Sequence, residues 1–456
     1  MIIHYGVLRI AKLGSGAERY YLQAVGPEPP GSWLGRGPHL KGLDANVGPD
    51  ELSALLAGRD PFSGEVLGAR RERVRVVGFD MTFAAPKSVS VLHGLAEEAV
   101  SGEVAAGHTA AVAAAVDYAD RRALAVRRHG PDGRTVEATD GGFGAAFVHR
   151  TSRSLDPHLH THVVVANLGR GPDGRFSALD GRGIYAHAGA MGALYHSQLR
   201  EELGRRLGVE WGPLDRGRAD LVGVPREVRL AFSRRSREIA AELAASGRTG
   251  PRATSRATEI ASVKTREPKD PSLGPDDLRP EWRRRAVEMG FGPLRLESVL
   301  ERGARARDGG ACRDGPVRSR EDTEERTERV VLRLAAEGRP IARRSVVRAW
   351  CMETGRGAPV PEIERAADSL LETLDPAGCE RDRDGGPIHR PGVAEKRFEP
   401  DWLELGPLAS RAAELARDRS AAVRRARGLG LEPARDAARS IGYELGLGRG
   451  DSGLGL

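Results

Sequence analysis

Four histidines lie close together in one segment of this 456-residue chain, FVHRTSRSLDPHLHTHVVVAN. The chain has twelve histidines, and these four are His149, His158, His160 and His162. The part LHTHVVVAN has the composition of a β-strand, and a strand places side chains two residues apart on the same face. We therefore expect the imidazoles of His160 and His162 on one face, with Leu159, Thr161 and Val163 on the other.

The residues between His149 and this strand predict a tight turn. The stretch from Ser152 to Pro157 contains an Asp-Pro pair, so the strand that carries His149 can return beside the next strand. Three neutral imidazoles with open coordination positions suit Mn, Zn, Ni or Co, and also Mg where phosphate and water complete the shell. The alternative is that these are ordinary solvent-facing or hydrogen-bonding strand histidines. His158 shares the face but lies next to the turn, so it is an alternative ligand.

The segment VVGFDMTFAAPKSVSVLHG places a carboxylate, Asp80, inside an apolar strand. A buried carboxylate is costly without a partner, so Asp80 either orients a metal-bound imidazole or accepts a proton from a nucleophile. A turn cap or an arginine ion pair is the alternative. Lys87 follows a proline at the start of a predicted helix, a position suited to a phosphate contact. The glycines of a phosphate-binding loop are missing before Lys87, so ATP hydrolysis is not predicted.

Two of the seven tyrosines are adjacent, at Tyr20 and Tyr21 in GAERYYLQAVG. A phenol can attack a phosphodiester to give a covalent phosphotyrosine when a cation neutralises the phosphate. The alternative is a structural pair with one ring in the core and the other exposed.

The charge balance indicates an anionic partner. The net charge is +7 and the pI about 9.6, with arginine supplying nearly all the positive charge. This favours nucleic acid, although a GC-rich coding sequence also enriches arginine. No signal peptide and no run of 18 apolar residues is present, so we expect a cytoplasmic protein without a membrane span. Three widely spaced cysteines predict neither a disulfide framework nor a zinc knuckle: Cys312, Cys351 and Cys379.

Strand-like and helix-like stretches alternate over the first half of the chain. The predicted strands are Met1 to Lys12, Val74 to Phe83, Gly144 to Thr151 and Leu159 to Leu168. The predicted helices are Pro49 to Ala57, Ser88 to Arg128, Ala188 to Leu207 and Pro225 to Ser246. Such an alternation predicts helices packed on a sheet.

Composition divides the chain into four parts. Residues 1–245 are predicted to form the domain that carries the chemistry, and 246–295 a linker with a short helix. Residues 296–376 have the pattern of a small helical module. Residues 377–456 form a polar and then Arg/Ala-rich stretch that predicts a helical tail.

The tyrosine pair, DMTFAAPKSVS and HRTSRSLDPHLHTHVVVAN together resemble the relaxase domain of the MobF class, the TrwC/TraI-type conjugative relaxases of the HUH endonuclease superfamily. The order and spacing of the motifs also match over residues 1–245. The resemblance implies an α+β HUH relaxase fold, with a central antiparallel sheet flanked by helices. A mainly helical C-terminal region follows it here.

The resemblance also implies metal-dependent, strand-specific nicking of single-stranded DNA at an origin of transfer, through a covalent 5′-phosphotyrosine, with later rejoining. Mg²⁺ or Mn²⁺ is the expected cation, with Zn²⁺, Ni²⁺ or Co²⁺ as alternatives. By matching positions, Tyr20 is the expected nucleophile, Tyr21 its alternative and Asp80 the acidic residue. The expected metal ligands are His149, His160 and His162.

Further partners follow from the same resemblance. Relaxosome accessory proteins and a coupling protein are expected beside the single-stranded DNA. Arginines and lysines near the metal ligands are candidate contacts to the DNA backbone, and so is the histidine at the turn. The candidate DNA-binding residues are Lys87, Arg150, Arg153 and His158.

The chain departs from the family pattern in three ways. Many members carry two tyrosine pairs before a Pro-Gly-x-Trp segment, whereas one pair precedes PPGSWLGRG here. Many continue into an ATP-driven helicase, for which this sequence has no motif. The residue before Leu159 is often Gln in the family and is His158 here. A catalytically silent DNA-binding remnant of a mobile element and a rolling-circle replication initiator are the alternative functions.

Overall fold

The structure is a computed structural model that describes residues 8–14, 16, 21, 28–40, 42–43, 46–68, 75–130, 133–248, 255–265, 273–308, 320–337 and 342–374. The strands are β1 (Leu8–Leu13), β2 (Ser32–Leu34), β3 (Gly78–Ala84), β4 (Ala125–Gly130), β5 (Gly133–Ala138), β6 (Gly142–Thr151), β7 (Pro157–Arg170) and β8 (Phe176–Ser177). The first helices are α1 (Gly37–Leu40), α2 (Pro49–Leu56), α3 (Lys87–Leu95), α4 (Glu98–Arg122), α5 (Gly181–Leu207), α6 (Arg226–Ala231) and α7 (Arg234–Ala245). The remaining helices are α8 (Ser255–Lys264), α9 (Pro275–Glu288), α10 (Pro293–Asp308), α11 (Arg320–Glu337), α12 (Arg343–Glu353) and α13 (Val360–Leu374).

A central sheet has the strand order β1-β3-β7-β6-β2, and the short strand β8 pairs with the end of β7. Every pair in it is antiparallel. Strands β4 and β5 form a separate hairpin. The expected α+β fold, with a central antiparallel sheet flanked by helices and a helical C-terminal region, is confirmed.

The two faces of the sheet pack against different layers. On β7, Leu159 and Val163 are fully buried in the main core, together with residues of α3, α4 and α5. Val164 points the other way, into a smaller cluster that includes Tyr21 and residues of α2. The alternation predicted from the sequence for β7 is therefore confirmed, and the histidines lie on the face of the smaller cluster.

Two long predicted helices are wrong in their bounds. The prediction of one helix from Ser88 to Arg128 fails because Ala96 and Glu97 are extended, with ψ near 160°, so α3 and α4 are separate helices. The last residues of the predicted helix instead belong to β4, and the sequence Gly-Pro-Asp-Gly between β4 and β5 is typical of a turn. Similarly, Pro225 to Ser246 divides into α6 and α7, because Ser233 leaves the helical conformation.

The helices after residue 319 pack on the back of α5. Arg200 of α5 is buried, and its guanidinium donates to the carbonyls of Gly217, Cys351 and Thr354 at 3.0 to 3.1 Å. Trp350 belongs to the same core as the sheet. Within the described residues, the predicted module at 296–376 thus shares its core with the sheet-bearing part, and the tail at 377–456 lies outside them.

Within the described part, α4 is long and apolar enough to cross a membrane by length and composition alone. Its apolar face, however, includes Val104, Ala111 and Val112, which are buried in the main core against the sheet and α5. A core helix that packs in this way passes the same test.

Candidate metal centre

Antiparallel pairing of β6 and β7 brings three imidazoles together. His149 is the register partner of His160, and His162 on β7 lies between Phe147 on β6 and Thr82 on β3. One ring nitrogen from each of His149, His160 and His162 lies within 4.8 Å of the others. The turn predicted at Ser152 to Pro157 is present, since the two strands pair on either side of it.

Hydrogen bonds orient two of these imidazoles. The Nδ1 of His162 lies 2.9 and 3.0 Å from the two carboxylate oxygens of Asp80. The Nδ1 of His160 lies 2.9 Å from the carbonyl oxygen of His158. Carboxylates and carbonyls accept hydrogen bonds, so Nδ1–H donates in both rings and leaves the Nε2 lone pair for a cation. A metal-bound histidine is commonly held in this way, and the three residues therefore fit a divalent cation.

The buried carboxylate predicted at Asp80 has the partner it needs. Its side chain is only 10 % exposed, and both of its oxygens lie within hydrogen-bonding distance of the Nδ1 of His162. Thr82 adds a hydroxyl 3.4 Å from the same Nδ1, a contact that no pattern in the sequence indicates. The structure thus places Asp80 behind His162, a candidate ligand, and its carboxylate orients that ring.

His158 lies beside the three histidines rather than among them. Its ring stacks on that of His160 with centroids 4.4 Å apart. Burial, and then Lys87, lowers the pKa of His158 to about 3, and burial lowers the pKa of His160 well below its usual value. Among the described residues, the group that can hold a cation consists of His149, His160 and His162. The role of His158 as a DNA contact stays a prediction.

Of the two adjacent tyrosines, the structure describes Tyr21. Tyr20 lies outside the described residues, so its expected role as nucleophile stays a prediction. Tyr21 is 7 % exposed, with its ring centroid 5.7 Å from that of His162 and 5.5 Å from that of Phe147. Tyr21 therefore lies next to the candidate metal centre, although well over a hundred residues separate it from His149 in the sequence.

The predicted cationic contacts surround the same strands. Lys87 donates to the carbonyl of Pro157 at 2.8 Å, and burial lowers the pKa of its ammonium to about 8, against the opposing effect of Asp156. The backbone N–H and the Nε of Arg150 both donate to the carboxylate of Glu28 at 2.9 Å. Arg153 is half-buried in the turn. Whether Lys87, Arg150 and Arg153 contact DNA stays a prediction.

A buried polar chain supports β7 from the opposite face. The two ring nitrogens of His108 on α4 lie 2.7 Å from the hydroxyl of Thr161 and 2.8 Å from that of Tyr195 on α5. Burial lowers the pKa of His108 to about 3, so the ring is neutral. Thr161 lies between the two candidate ligands of β7, His160 and His162, so these hydrogen bonds hold the strand that carries them. Sequence reasoning missed it, because a lone histidine in an alanine-rich helix gives no such signal.

Replacing His108 by phenylalanine should destabilise the protein. The change leaves the buried hydroxyls of Thr161 and Tyr195 each without a partner, which costs about 2–4 kcal/mol in total. Urea unfolding in the presence of EDTA measures it, so that no bound cation contributes. The matched control is His129→Phe, at an exposed position on β4, where a change within about 0.5 kcal/mol is expected. Equal stabilities of the two variants would contradict the role given to His108.

Comparison with known proteins places this geometry in a family. The chain matches the family described as TrwC relaxase over residues 9–289. It is 32 % identical over 304 residues to the multifunctional conjugation protein TraI of Escherichia coli strain K12, covering 62 % of this chain and 16 % of TraI. The chain thus corresponds to about a sixth of that relative.

Solved structures of the conjugative relaxase TrwC agree with this match. The metal-bound complex of TrwC with OriT DNA has a TM-score of 0.57 and 30 % identity, over 62 % of this chain and 98 % of that one. TrwC complexed with a 27-mer DNA that comprises the recognition hairpin and the cleavage site has a TM-score of 0.54 and 30 % identity. The resemblance seen in the sequence covers residues 1–245. The family match extends beyond it, to the end of α9. The resemblance inferred from the sequence is confirmed, and the chain belongs to the TrwC relaxase family.

Proposed function

We propose that this chain is a conjugative relaxase that nicks one strand of DNA at an origin of transfer and remains attached to the new 5′ end through a tyrosine. The observation that carries the proposal is the arrangement of His149, His160 and His162 around one point, with Tyr21 of the tyrosine pair packed on the ring of His162. The contact between Tyr21 and His162 supports a nucleophile from the tyrosine pair acting beside a divalent cation.

In the proposed site, protein groups orient the imidazoles and a bound cation would activate the phosphate. Asp80 and the carbonyl of His158 hold two imidazoles through Nδ1, which leaves their Nε2 atoms to bind a cation. A cation bound there would neutralise a phosphodiester and make its phosphorus a better electrophile. Mg²⁺ or Mn²⁺ is the proposed ion, and relatives of known structure support a metal without fixing its identity here.

The proposed reaction conserves the phosphodiester bond energy. The phenol of Tyr20 gives up its proton and its oxygen forms a bond to the scissile phosphorus as the bond from phosphorus to O3′ breaks, and the leaving oxygen takes up a proton to become a 3′-hydroxyl. The product is a 5′-phosphotyrosine, and attack by a 3′-hydroxyl on that linkage rejoins the strand. Tyr21 is the alternative nucleophile, because it is the residue of the pair that contacts the ring of His162.

The proposed substrate is single-stranded DNA from an origin of transfer. TrwC has been solved with OriT DNA, and this chain has the basic charge that a DNA backbone requires. We also propose relaxosome accessory proteins, a coupling protein and a cytoplasmic location. A silent DNA-binding remnant is the second reading, and the presence of all three imidazoles with an oriented Asp80 weighs against it.

The test is a covalent adduct. Full-length protein is incubated with labelled single-stranded oligonucleotides from its own flanking DNA and Mg²⁺ or Mn²⁺, and a denaturing gel separates the adduct. We expect an adduct in wild type that is lost in Tyr20→Phe and kept in Tyr21→Phe. Loss in Tyr21→Phe alone would move the nucleophile to Tyr21.

The control for this test is binding. Each variant is titrated with the same oligonucleotide in EDTA, where no cleavage takes place. Both tyrosine variants should bind within about twofold of wild type, because a phenol carries none of the charge on which affinity for the backbone depends. If wild type binds an oligonucleotide tightly but forms no adduct with any of them, the nicking proposal is wrong. That result would favour a catalytically silent DNA-binding remnant.

A further inference from the structure

A cavity lies at the opposite end of the sheet from the histidines. It has a volume of about 520 Å³ and opens between β3, β4, β7 and the start of α5. Asn167 borders it, seven residues along β7 from His160, which is roughly 23 Å of extended strand. Phe79 also borders it and belongs to the core on the helix-covered face, whereas the histidines lie on the other face. The cavity is therefore separate from the candidate metal centre.

The lining of this cavity is unusually cationic. Four positively charged side chains and one carboxylate border it, with the phenol of a tyrosine: Lys12, Arg127, Arg134, Arg182, Asp180 and Tyr185. Asp180 is 5 % exposed and pairs with both Arg134 at 2.7 Å and Arg182 at 3.1 Å. One carboxylate thus offsets a single charge, and the cavity keeps a formal excess of three positive charges.

Arg127 has a hydrogen-bond donor that the ion pairs around Asp180 leave unused. Its Nε is buried and has no hydrogen-bond partner. Burial, and then the neighbouring Arg134, lowers the pKa of Arg127, which reports like charges packed close together. The guanidinium of Arg127 therefore carries a donor that no described protein group uses, while the side chain borders the cavity.

We propose that this cavity binds a phosphate group. Guanidinium groups match the planar, multiply accepting edge of a phosphate, and several arginines around one cavity are typical of such sites. The volume falls within the range of small-molecule pockets and is sufficient for a nucleotide unit. The phosphate belongs either to the DNA backbone or to a free nucleotide, and the test separates these two sources.

The matched pair for this test is Arg182→Ala and Arg175→Ala. Both arginines are exposed, at 71 % and 81 % of the side chain, and each pairs with one nearby aspartate, but only Arg182 borders the cavity. Each variant removes one exposed positive charge, and the two positions lie seven residues apart in the chain. Arg127→Gln is the companion variant inside the cavity, and thermal unfolding checks that all three variants fold.

Full-length protein is titrated calorimetrically in EDTA with inorganic phosphate, with thymidine monophosphate and with a single-stranded oligonucleotide. For at least one probe we expect Arg182→Ala and Arg127→Gln to weaken binding about tenfold, while Arg175→Ala stays near wild type. An effect confined to the oligonucleotide, with the slope of log affinity against log salt reduced by about 0.7 per lost contact, identifies the DNA backbone. An effect confined to the small probes identifies a free nucleotide or phosphate.

Equal effects of Arg182→Ala and Arg175→Ala would overturn the proposal, because they would show general charge attraction only. No measurable change for any of the probes would overturn it as well. The measurement contains no divalent cation and no cleavage step, so its outcome is independent of the nicking reaction. If the protein forms the covalent adduct but fails this test, the phosphate-binding proposal is wrong and the proposed nicking activity stands.

Discussion

Replacement of His160 by alanine is expected to abolish adduct formation by removing one of three imidazoles that face a common point. Loss of an outer-shell partner typically lowers metal affinity 10–100-fold, so loss of a direct ligand should lower it by more than about 100-fold. A bound cation contributes several kcal/mol to stabilising charge in the transition state, so the rate should fall about a thousandfold or more. Adduct formation and Mn²⁺ titration of the same protein measure both effects.

The matched control for His160→Ala is His158→Ala, two residues away on the same strand. The side chain of His158 stacks on His160, but the group that orients His160 is the backbone carbonyl of His158, which alanine retains. We expect His158→Ala to keep metal binding within about tenfold of wild type. If His158→Ala instead loses the metal while His160→Ala keeps it, the ligand set is displaced by one register position and the triad is wrong. Removal of the cation with EDTA should reproduce the His160→Ala phenotype in wild type.

The parts of the site that the sequence predicted are those set by local rules. The period of a strand places His160 and His162 on one face, and an Asp-Pro turn returns β6 beside β7. The cost of burying a carboxylate requires a partner for Asp80, and His162 is that partner. Each of these inferences needs only neighbouring residues or a single energetic penalty.

What the sequence did not predict depends on contacts between distant segments. The hydrogen bonds of His108 join α4, β7 and α5, and nothing near His108 in the sequence indicates its partners. Glu28 binds Arg150 across 122 positions of the chain. The break between α3 and α4 falls in a continuous run of good helix formers, where packing rather than propensity decides. Periodicity cannot supply information of this kind.

The helices beyond residue 225 also reach the candidate metal centre, through the turn between β6 and β7. Asp156 in this turn is 1 % exposed, and its carboxylate accepts from the backbone and Nε of Arg234 at 2.8 and 2.9 Å and from Arg285 at 3.2 Å. Trp282 donates to the carbonyl of Leu155, whose φ of 55° is in the left-handed region. This turn, with its left-handed residue, is therefore held by α7 and α9. Helix α7 ends at the predicted domain boundary at residue 245, and α9 lies beyond it.

Asp156→Ala is expected to lower the free energy of unfolding by roughly 3 kcal/mol, the lower end of the cost of breaking a buried ion pair, because Arg234 is 42 % exposed and can turn to water. The control is Asp173→Ala, which removes a 42 % exposed carboxylate that pairs with Arg128 and should cost about 0–1 kcal/mol. Urea unfolding measures both. Because the turn sets the pairing of His149 with His160, Asp156→Ala should also weaken Mn²⁺ binding in the fraction that remains folded, whereas Asp173→Ala should not. A destabilised Asp156→Ala variant with unaltered Mn²⁺ affinity would show that these helices stabilise the fold without positioning the ligands.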